Sequence, residues 1–460
     1  METIAAISTA TGNGGIGIIR ISGDKTFSII SKIFQLKSNK KIKIGEIQGY
    51  TMKYGYIINP KTGEKIDEVL VSFFKNPKSY TREDMCEINS HGGMVIEKRI
   101  LQICLENGAI LAEAGEFTKR AFLNGRIDLS QAESIIDMIN SKTEKEAKAS
   151  MQQLQGFLSD KIEEIRHQLL DMMADIEASI DYPEYDIEEM TNQKAMQILL
   201  QVKQELENLE NSFHTGKILK EGIKTAIIGK PNAGKSSLLN HILKEERAIV
   251  SDIEGTTRDT IEEFISIRGI PLKIIDTAGI RDTKDEIEEI GVQKTLHVVN
   301  EAELILAIFD NTKPITKEDL EILSLIKDKK AIILLNKVDL CDCHLENNKE
   351  LQDINKKIIK ISAKEGEGID ALYQEIESLF EMGNLETDQE MMITNIRHKT
   401  QIHYAIENME QAINSIKENL PVDMISISIK QTLEDLGKIT GQNVTEDIIQ
   451  EIFSKFCLGK

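Results

Sequence analysis

Hydrophobic positions along the chain change their spacing three times, which divides the chain into four stretches. Residues 1–118 alternate short apolar runs, such as residues 16–21 and 68–74, with glycine-containing turns, which predicts an α+β domain. From residue 119 to 217 the apolar residues recur at helical intervals, as in Leu154, Phe157, Leu158, Ile162, Ile165, Leu169, Met172 and Met173. We therefore expect helices there, interrupted at Pro183.

Short apolar runs return between residues 218 and 381, at residues 224–228, 272–275, 331–335 and 358–361. Runs of this length are typical of strands buried on both faces of a parallel sheet. Helical spacing then resumes in residues 402–416 and 425–436. The pattern predicts one discontinuous helical domain, residues 119–217 and 382–460, with an α/β domain inserted into it.

A glycine-rich loop follows the first of these runs and precedes a helical segment: Gly229-Lys-Pro-Asn-Ala-Gly234-Lys235-Ser236. In this position glycines let backbone N–H groups face a phosphate, and the helix N-terminus adds partial positive charge. Lys235 is placed to reach the terminal phosphates, and the Ser236 hydroxyl to hold Mg²⁺. The predicted nucleotide contacts are Asn232, Ala233, Gly234, Lys235, Ser236 and Ser237.

Three further motifs follow in order. The second is Asp276-Thr277-Ala278-Gly279, which offers a carboxylate for Mg²⁺ and an N–H for a γ-phosphate. The third is Asn336-Lys337-Val338-Asp339, whose Asp accepts two hydrogen bonds that guanine offers and adenine does not. The fourth is Ser362-Ala363-Lys364, a backbone clamp for the base. Together they resemble GTPases of the translation-factor-related class and predict a Ras-like P-loop domain that binds GTP and GDP.

One position departs from the Ras pattern, which has a water-positioning Gln directly after the second motif. This chain has Ile280, and an apolar side chain cannot orient the attacking water, so either catalysis is weak or another group supplies it. Glu288, within the acidic residues 285–289, is a candidate for polarising that water. The alternative is that this stretch is the solvated start of a helix.

The loop at residues 251–259 is rich in hydroxyl and carbonyl groups. Thr257 is our candidate for completing the Mg²⁺ shell. Asn232 adds an amide oxygen that, with carbonyls of this loop, would hold a monovalent cation in the role of an arginine finger. The predicted nucleotide contacts here are Ser251, Asp252, Ile253, Glu254, Gly255, Thr256 and Thr257.

Composition restricts the choice of partners and compartment. The chain has 460 residues, room for roughly three domains, and a formal net charge of −20. Residues 1–120 nevertheless carry 17 Lys and Arg against 13 Asp and Glu. An acidic protein needs a local basic patch to bind nucleic acid. One cluster, for which a solvated loop is the favoured interpretation, consists of Lys37, Lys40, Lys41 and Lys43.

The five cysteines are odd in number and form no CxxC pair, which suits reduced thiols in a cytosol: Cys86, Cys104, Cys341, Cys343 and Cys457. A metal site at Cys341, Cys343 and His344 is less favoured than an incidental loop. No apolar run approaches the roughly 20 residues of a membrane span, and the first residues do not read as a secretory signal. We expect a cytoplasmic protein.

The outer segments identify the kind of GTPase. They contain GIGIIRISG at residues 15–23, EINSHGG at residues 87–93, GEFTKRAFLNGR at residues 115–126 and a terminal Cys457-Leu458-Gly459-Lys460. With GKPNAGKSS and DIEGTTRD they closely resemble the MnmE (TrmE) family of tRNA-modification GTPases along the whole chain. The family's terminal motif normally reads CIGK, and Leu458 here replaces Ile.

The resemblance implies a function. Family members act with an FAD-dependent partner, MnmG, to add a carboxymethylaminomethyl group to the five-position of wobble uridine in certain tRNAs. The N-terminal domain resembles a tetrahydrofolate-binding fold that also dimerises, which implies a homodimer, a heterotetramer with an MnmG-like protein, and a 5-formyl-tetrahydrofolate-like ligand.

The resemblance also implies residue roles. Folate contacts would be Arg20, Glu87, Arg126 and Lys460, although the family can have Lys at position 126. Ligands of K⁺ would be Asn232, Ser251, Ile253 and Thr256, where Ser251 is usually Thr. Ser236 and Thr257 would hold Mg²⁺, and Glu288 would polarise the water. Cys457 near the folate site is either a catalytic thiolate or a packed small residue.

Three functions therefore compete: the tRNA-modification enzyme, a ribosome-assembly GTPase that binds RNA as a switch, and a folate-binding or dimerisation scaffold with a regulatory GTPase. The GTPase motifs do not separate them. The terminal motif and the GIGIIRISG segment favour the first, because an assembly factor has no evident use for either.

Overall fold

The computed structural model describes residues 1–10, 12, 14–181, 192–245, 263–275, 297–340, 345, 348–380, 392–420 and 422–460. The chain divides into two units. The first consists of Met1–Ile136, Gln153–Arg166 and Leu433–Lys460, and the second of Asp137–Gln152 and His167–Thr432. Helical residues are shared between the units, so the division into three domains with boundaries near residues 118, 218 and 381 stays a prediction.

A seven-stranded sheet forms the centre of the first unit. Its strands are β1 (Ile4–Ile7), β2 (Ile16–Ser22), β3 (Phe34–Leu36), β4 (Thr51–Ile58), β5 (Lys65–Phe74), β6 (Met85–His91) and β7 (Ile110–Leu111). Their order in the sheet is β3-β4-β5-β6-β2-β1-β7. Neighbours are antiparallel except β1 and β7, which are parallel.

Two helices, α1 (Thr26–Ile33) and α2 (Met94–Glu106), cover one face of this sheet. Ile19 and Ile21 of β2 are fully buried in the core beneath them. Because successive residues of a strand point to opposite faces, Arg20 between them lies on the other face. Glu87 of β6 is its register partner. The apolar alternation that builds the core therefore places these two charges side by side on the opposite face.

Further helices complete the first unit. They are α3 (Glu116–Leu123), the start of α4 (Leu129–Asn140), part of α6 (Phe157–Asp181), the end of α13 (Val422–Thr440) and α14 (Glu446–Ser454). Phe453 and Phe456 pack with Ala121, Leu129 and Ala132 in a shared core. The C-terminal segment is thus anchored beside α3 and α4. A 3₁₀ turn spans Ile44–Glu46.

The second unit contains a six-stranded sheet. Its strands are β8 (Ile223–Gly229), β9 (Glu263–Ile267), β10 (Ile270–Ile274), β11 (Leu304–Asp310), β12 (Ala331–Asn336) and β13 (Lys357–Ile361), in the order β13-β12-β11-β8-β10-β9. All neighbours are parallel except the β9–β10 hairpin. The four apolar runs predicted as strands lie within or overlap β8, β10, β12 and β13.

Burial on both faces explains why these runs are apolar without interruption. In β11, Leu304, Leu306 and Ile308 lie in the core on one face, whereas Ile305 and Ala307 lie in the core on the other. The helices described in this unit are α5 (Glu144–Leu154), α7 (Asn192–Glu221), α8 (Lys235–Glu245), α9 (Lys317–Ile326), α10 (Lys349–Gln352), α11 (Ile369–Leu379) and α12 (Ile396–Lys417), together with parts of α4, α6 and α13. The predicted helical spans at residues 402–416 and 425–436 lie in α12 and α13, and Pro183 lies outside the described residues.

Candidate functional site

The glycine-rich loop connects the end of β8 to the start of α8. Asn232 and Gly234 adopt positive φ angles of 63° and 110°. A Cβ added to Gly234 would lie 1.9 Å from Nδ2 of Asn336. Glycine is therefore required at this position, for its backbone conformation and for the close approach of a neighbouring strand end.

Lys235, the first residue of α8, folds back over the loop. Its Nζ donates to the carbonyl oxygens of Gly229 at 2.7 Å and Lys230 at 2.9 Å. Burial lowers the pKa of this amine. Since an ammonium group has three donors, Lys235 keeps the capacity to bind a phosphate oxygen.

Asn336, at the end of β12, joins three of the predicted motifs. Its Nδ2 donates to the Ala233 carbonyl at 2.8 Å, and its Oδ1 accepts from the Ala363 N–H at 2.9 Å. The side chain is 3% exposed. The third motif thus holds the phosphate loop and the fourth motif in a fixed relation.

The residue expected to read guanine lies beside the fourth motif. Ser362 Oγ donates to Asp339 Oδ1 at 2.7 Å, and the Val338 N–H donates to the Ile361 carbonyl at 3.3 Å. The Asp339 carboxylate retains acceptor capacity, since two oxygens offer about four lone-pair sites. Lys364 is exposed, with Nζ 3.2 Å from Glu365.

Sequence reasoning missed Asp310, which holds the lysine of the third motif. Lys337, at φ 72°, places Nζ 2.6 Å from Asp310 Oδ2. Burial opposes ionisation of Asp310, but hydrogen bonds from Lys337 and Thr312 outweigh it, and the pKa of this carboxyl is lowered. The sequence does contain a signal for Asp310, because this residue ends the apolar run of β11. In the sheet it is the register partner of Asn336.

The remaining predicted nucleotide and metal residues divide into two groups. Ser236 and Ser237 lie in the first turn of α8. The predictions for residues 251–257, for Asp276 to Gly279, for Ile280 and for Glu288 lie outside the described residues, as do those for Cys341, Cys343 and His344.

The first unit brings the predicted folate residues Arg20 and Glu87 into contact. Arg20 Nη2 and Nε donate to Glu87 Oε1 at 2.8 and 3.0 Å. Arg20 Nη1 also donates to the Gly459 carbonyl at 3.4 Å. Both side chains are mostly shielded, at 14% and 21% exposure. The Arg20 guanidinium therefore connects β2, β6 and the C-terminal segment.

Two guanidinium groups lie close to the ring of Tyr80, a residue that no sequence motif indicated. The Arg20 guanidinium carbon is 5.2 Å from the Tyr80 ring centroid, and that of Arg126 is 4.4 Å away. The Tyr80 hydroxyl is hydrogen-bonded to Thr118 Oγ1 at 2.8 Å. Nε of Arg126 is buried without a hydrogen-bond partner. An unsatisfied buried guanidinium donor suits an anionic or carbonyl-bearing ligand.

The C-terminal segment is tied to the first unit through its backbone. Ser8 Oγ donates to the Gly459 carbonyl at 2.9 Å, and the Phe117 N–H donates to the Lys460 carbonyl at 3.1 Å. Gly459 has φ 85°, and a Cβ there would lie 2.2 Å from the Ile7 carbonyl oxygen. The terminal motif needs its glycine for this approach, and Lys460 is held near the same strands as Arg20.

The cysteines differ in reactivity. Cys86 and Cys104 are buried, and burial raises the pKa of Cys86 well above its usual value and that of Cys104 to about 12. Cys457 is exposed. Since the thiolate is the nucleophile, Cys457 is the best placed of the three described thiols for chemistry.

The basic cluster near residue 40 is occupied in part by intramolecular contacts. Lys37 Nζ lies 2.6 Å from Glu68 Oε1 and 4.7 Å from the Tyr54 ring centroid. These contacts favour a surface loop over a nucleic-acid site. Within the described part of the chain, every helix is too short or too polar to cross a membrane.

Comparisons with known proteins cover the whole length. Residues 3–126 match the profile of the GTP-binding protein TrmE N-terminus, and residues 129–457 match that of the MnmE helical domain. The tRNA modification GTPase MnmE of Acetivibrio thermocellus is 52% identical over 459 residues, covering 100% of this chain and 99% of that protein. The protein of the same name from Clostridioides difficile is 48% identical over 460 residues, with the same coverage. The solved G domain of the T. maritima FeoB iron transporter is 23% identical and covers 34% of this chain and 98% of that one, with a TM-score of 0.25, too low to support a conclusion.

Proposed function

The chain belongs to the MnmE family of tRNA modification GTPases, and from this premise we propose that it is a potassium-activated GTP hydrolase that modifies wobble uridine. With an MnmG-like FAD protein, it takes part in adding a carboxymethylaminomethyl group to the five-position of that base in certain tRNAs. The one-carbon unit comes from a tetrahydrofolate. The observation that carries this proposal is the convergence of Arg20, Glu87, Arg126 and the C-terminal motif within a chain that also has a guanine-nucleotide site.

The nucleotide half of the proposal rests on the loop before α8. Turned backbone at Asn232 and Gly234 leaves N–H groups to face phosphates, and Lys235 neutralises charge there. Asp339 accepts from guanine, and Ser362 orients Asp339. The residues fit a bound nucleotide, since Gly234 packs directly against Asn336, where an added Cβ would lie 1.9 Å from Nδ2, and this close approach holds the phosphate loop beside the third motif. Ser236 and Thr257 would hold Mg²⁺, which supplies charge stabilisation to the phosphates.

Potassium activation rests on the absence of a Gln after the second motif. Asn232 and the loop ligands Ser251, Ile253 and Thr256 would surround K⁺, and Glu288 would polarise the water. A cation in that position neutralises charge that develops at the β–γ bridge. Only Asn232 of this set lies among the described residues, where its side chain is exposed beside the phosphate loop.

The folate half rests on the cations of the first unit. Arg20 and Lys460 suit the carboxylates of a folate tail, and Glu87 suits pterin N–H groups. The unsatisfied Nε of Arg126 supports a ligand at this site. Cys457, exposed and close in sequence to Lys460, would act on the one-carbon unit or the uridine. The N-terminal domain would also form the homodimer, and the assembly would work in the cytoplasm.

Nucleoside analysis of tRNA from a strain lacking the protein tests this function. We expect the carboxymethylaminomethyl uridine to disappear and to return when the wild-type chain is expressed. A Lys235→Ala chain should not restore it, because the phosphates lose their lysine. An unchanged nucleoside profile in the deletion strain would exclude the modification role and return the ribosome-assembly switch to consideration.

A further inference from the structure

Lys230, the second residue of the glycine-rich loop, directs its side chain out of the loop to the N-terminus of α9. Its Nζ lies 2.6 Å from Asp319 Oδ2 and donates to Thr316 Oγ1 at 2.9 Å. The Lys230 side chain is 19% exposed and that of Asp319 is 6% exposed. Sequence reasoning gave neither charged residue a role in nucleotide binding. The ion pair joins the phosphate loop to the helix that follows β11.

Asp319 is held in place by its own helix. Its Oδ2 accepts from the Thr316 N–H at 2.9 Å and from Thr316 Oγ1 at 2.9 Å. Thr316 is the N-cap of α9 and Asp319 is the third residue of the helix, which is the arrangement of a capping box. A carboxylate in the first turn of a helix is also stabilised by the partial positive charge there. Asp319 therefore offers Lys230 a charged acceptor in a fixed position.

The backbone of Lys230 meets the lysine that is placed to bind phosphate. The Lys230 carbonyl accepts from Lys235 Nζ at 2.9 Å and from the Ala233 N–H at 3.2 Å. Lys235 Nζ makes a second bond to the Gly229 carbonyl, so two of its three donors are directed at the loop. The direction of the third donor depends on where these two carbonyls lie. Lys230 thus connects α9, through its side chain, to Lys235, through its carbonyl.

We propose that Asp319 is a positioning residue for GTP hydrolysis, which acts through Lys230 to fix the ammonium group of Lys235. This inference rests on the proposed GTP hydrolysis and adds to it the contact that orients the lysine. Catalysis of phosphoryl transfer is almost entirely positioning and electrostatic stabilisation of charge on the phosphate. A small displacement of Lys235 therefore lowers the rate of hydrolysis more than the affinity for GTP, to which the base contact at Asp339 also contributes.

The test measures steady-state GTP hydrolysis and thermal unfolding of the full-length protein in three variants: Lys230→Met, Asp319→Asn and the two combined. In Asp319→Asn the amide oxygen still accepts from the Thr316 N–H, so the cap of α9 is kept while the ion pair is lost. The combined variant leaves neither charge without its partner. Lys230→Arg keeps the cation. The control is Lys357→Met, which removes an exposed lysine 4.0 Å from Glu375 on the edge strand β13.

The rate and the affinity should respond differently. In each single variant kcat should fall by about 10-fold and KM should change by less than about twofold, because a misplacement of about 1 Å costs up to about 10²-fold in rate. The combined variant should lose no more than the worse single variant, since both residues act through one contact, whereas independent losses would multiply. Lys230→Arg should retain most of the wild-type kcat, and Lys357→Met all of it.

Losses in kcat that multiply in the combined variant would overturn the assignment, because Asp319 and Lys230 would then act separately. A wild-type kcat in Asp319→Asn with a lower midpoint of thermal unfolding would make the ion pair a structural contact alone. Tighter GDP binding by Asp319→Asn with unchanged kcat would mean that Asp319 merely keeps the charge of Lys230 away from the phosphates. Absence of GTP hydrolysis by the wild type would overturn the proposed function itself, and so differs from the other three results.

Discussion

Asn336 connects residues that lie far apart in the sequence. Its side chain bonds to Ala233, 103 positions earlier, and to Ala363, 27 positions later. The motif string identifies Asn336 as part of a nucleotide site, but only the folded chain reveals that it supports the phosphate loop. The amide group of this one residue therefore holds the phosphate loop and the fourth motif in a fixed position relative to each other.

Asp339→Asn tests the base reader. An amide offers guanine one acceptor and one donor where the carboxylate offers two acceptors, so guanine selectivity should fall and xanthine nucleotides should bind better. The amide oxygen of the variant would still accept from Ser362, as the Asp339 carboxylate does, which keeps the fourth motif in place. Competition binding with GTP and xanthosine triphosphate measures the change. Full guanine preference in the variant would mean that another residue reads the base.

Arg20→Ala tests the folate site. If Arg20 binds a folate carboxylate, affinity for 5-formyl-tetrahydrofolate should fall by about 1.5–3 kcal/mol, the contribution of a charge-assisted hydrogen bond. GTP affinity should not change. Calorimetry on Arg20→Ala and on Arg99→Ala, which alters α2 rather than the Arg20 face of the sheet, separates this loss from a general effect of charge. Equal folate affinity in the two variants would remove Arg20 from the site.

Tyr80 refines that test, because it contacts both guanidinium groups. Tyr80→Leu should weaken folate binding by about 1–2 kcal/mol, since each cation–π contact is worth about 0.5–1 kcal/mol. Tyr80→Phe keeps the ring and loses only the bond to Thr118, so it should bind folate nearly as the wild type does. Equal losses in the two variants would assign the effect to the hydroxyl instead.

At the N-terminus of α5, a buried carboxyl group makes the stability of the folded chain depend on pH. Glu146 Oε2 accepts from the Lys142 N–H at 2.7 Å, and the Glu146 N–H donates to Thr143 Oγ1 at 3.1 Å. Glu146 is 4% exposed. Burial raises its pKa from 4.5 to about 7. Between these two values the folded chain retains a proton that the unfolded chain releases, so the stability from Glu146 is complete below pH 4.5 and declines as the pH rises to about 7.

Glu146→Gln should remove that decline, because an amide stays neutral. The free energy of unfolding of the variant, relative to that of the wild type, should be higher at pH 8 than at pH 4.5 by up to about 3 kcal/mol, since one pKa unit corresponds to about 1.4 kcal/mol. Urea unfolding of both proteins at several pH values measures this change. Glu144→Gln, on the exposed side of the same turn, is the control. The same pH dependence in both variants would contradict the role of Glu146.

At the scale of elements, burial explains which strands the sequence predicted. Strand β12 is covered on both faces and is apolar from Ala331 to Leu335, and β8 is covered and apolar in the same way from Ala226 to Ile228. In the sheet of the first unit, α1 and α2 cover one face, whereas the other face contacts α3 at its β1 end, through Phe117 beside Ile4 and Ala6. The rest of that face holds Arg20 and Glu87 and exposed side chains such as Met52 and Tyr54. A half-covered sheet leaves a weaker sequence signal than a fully buried one.

For the whole molecule, we predict that GTP hydrolysis needs K⁺ and pairing of two GTPase domains. A cation beside the β–γ bridge would replace an arginine finger, which is worth about 10³–10⁵ in rate. The loop that closes over K⁺ would then present a face to a second GTPase domain, with Thr257 and Glu288 ordered. Turnover should therefore be much faster in K⁺ than in Na⁺ at matched ionic strength.

Asn232→Ala should abolish the difference between the two ions. Because Asn232 has φ 63°, alanine there also strains the loop. Asn232→Gly removes the amide without that strain and should behave in the same way. Equal turnover of the wild type in Na⁺ and K⁺ would exclude the potassium mechanism and leave the GTPase assignment intact.

The sequence by itself determined the family, the class of nucleotide and the order of strands and helices around the phosphate loop. These features depend on residues that are neighbours in the sequence. The residues of each motif are consecutive, and the strands that are buried on both faces are continuous apolar runs. The tertiary structure alone decided that Asn336 supports Ala233, that Tyr80 contacts both Arg20 and Arg126, and that Gly459 reaches Ser8. Each of these contacts joins residues that no local spacing relates, because packing of whole elements, and not backbone continuity, brings them together.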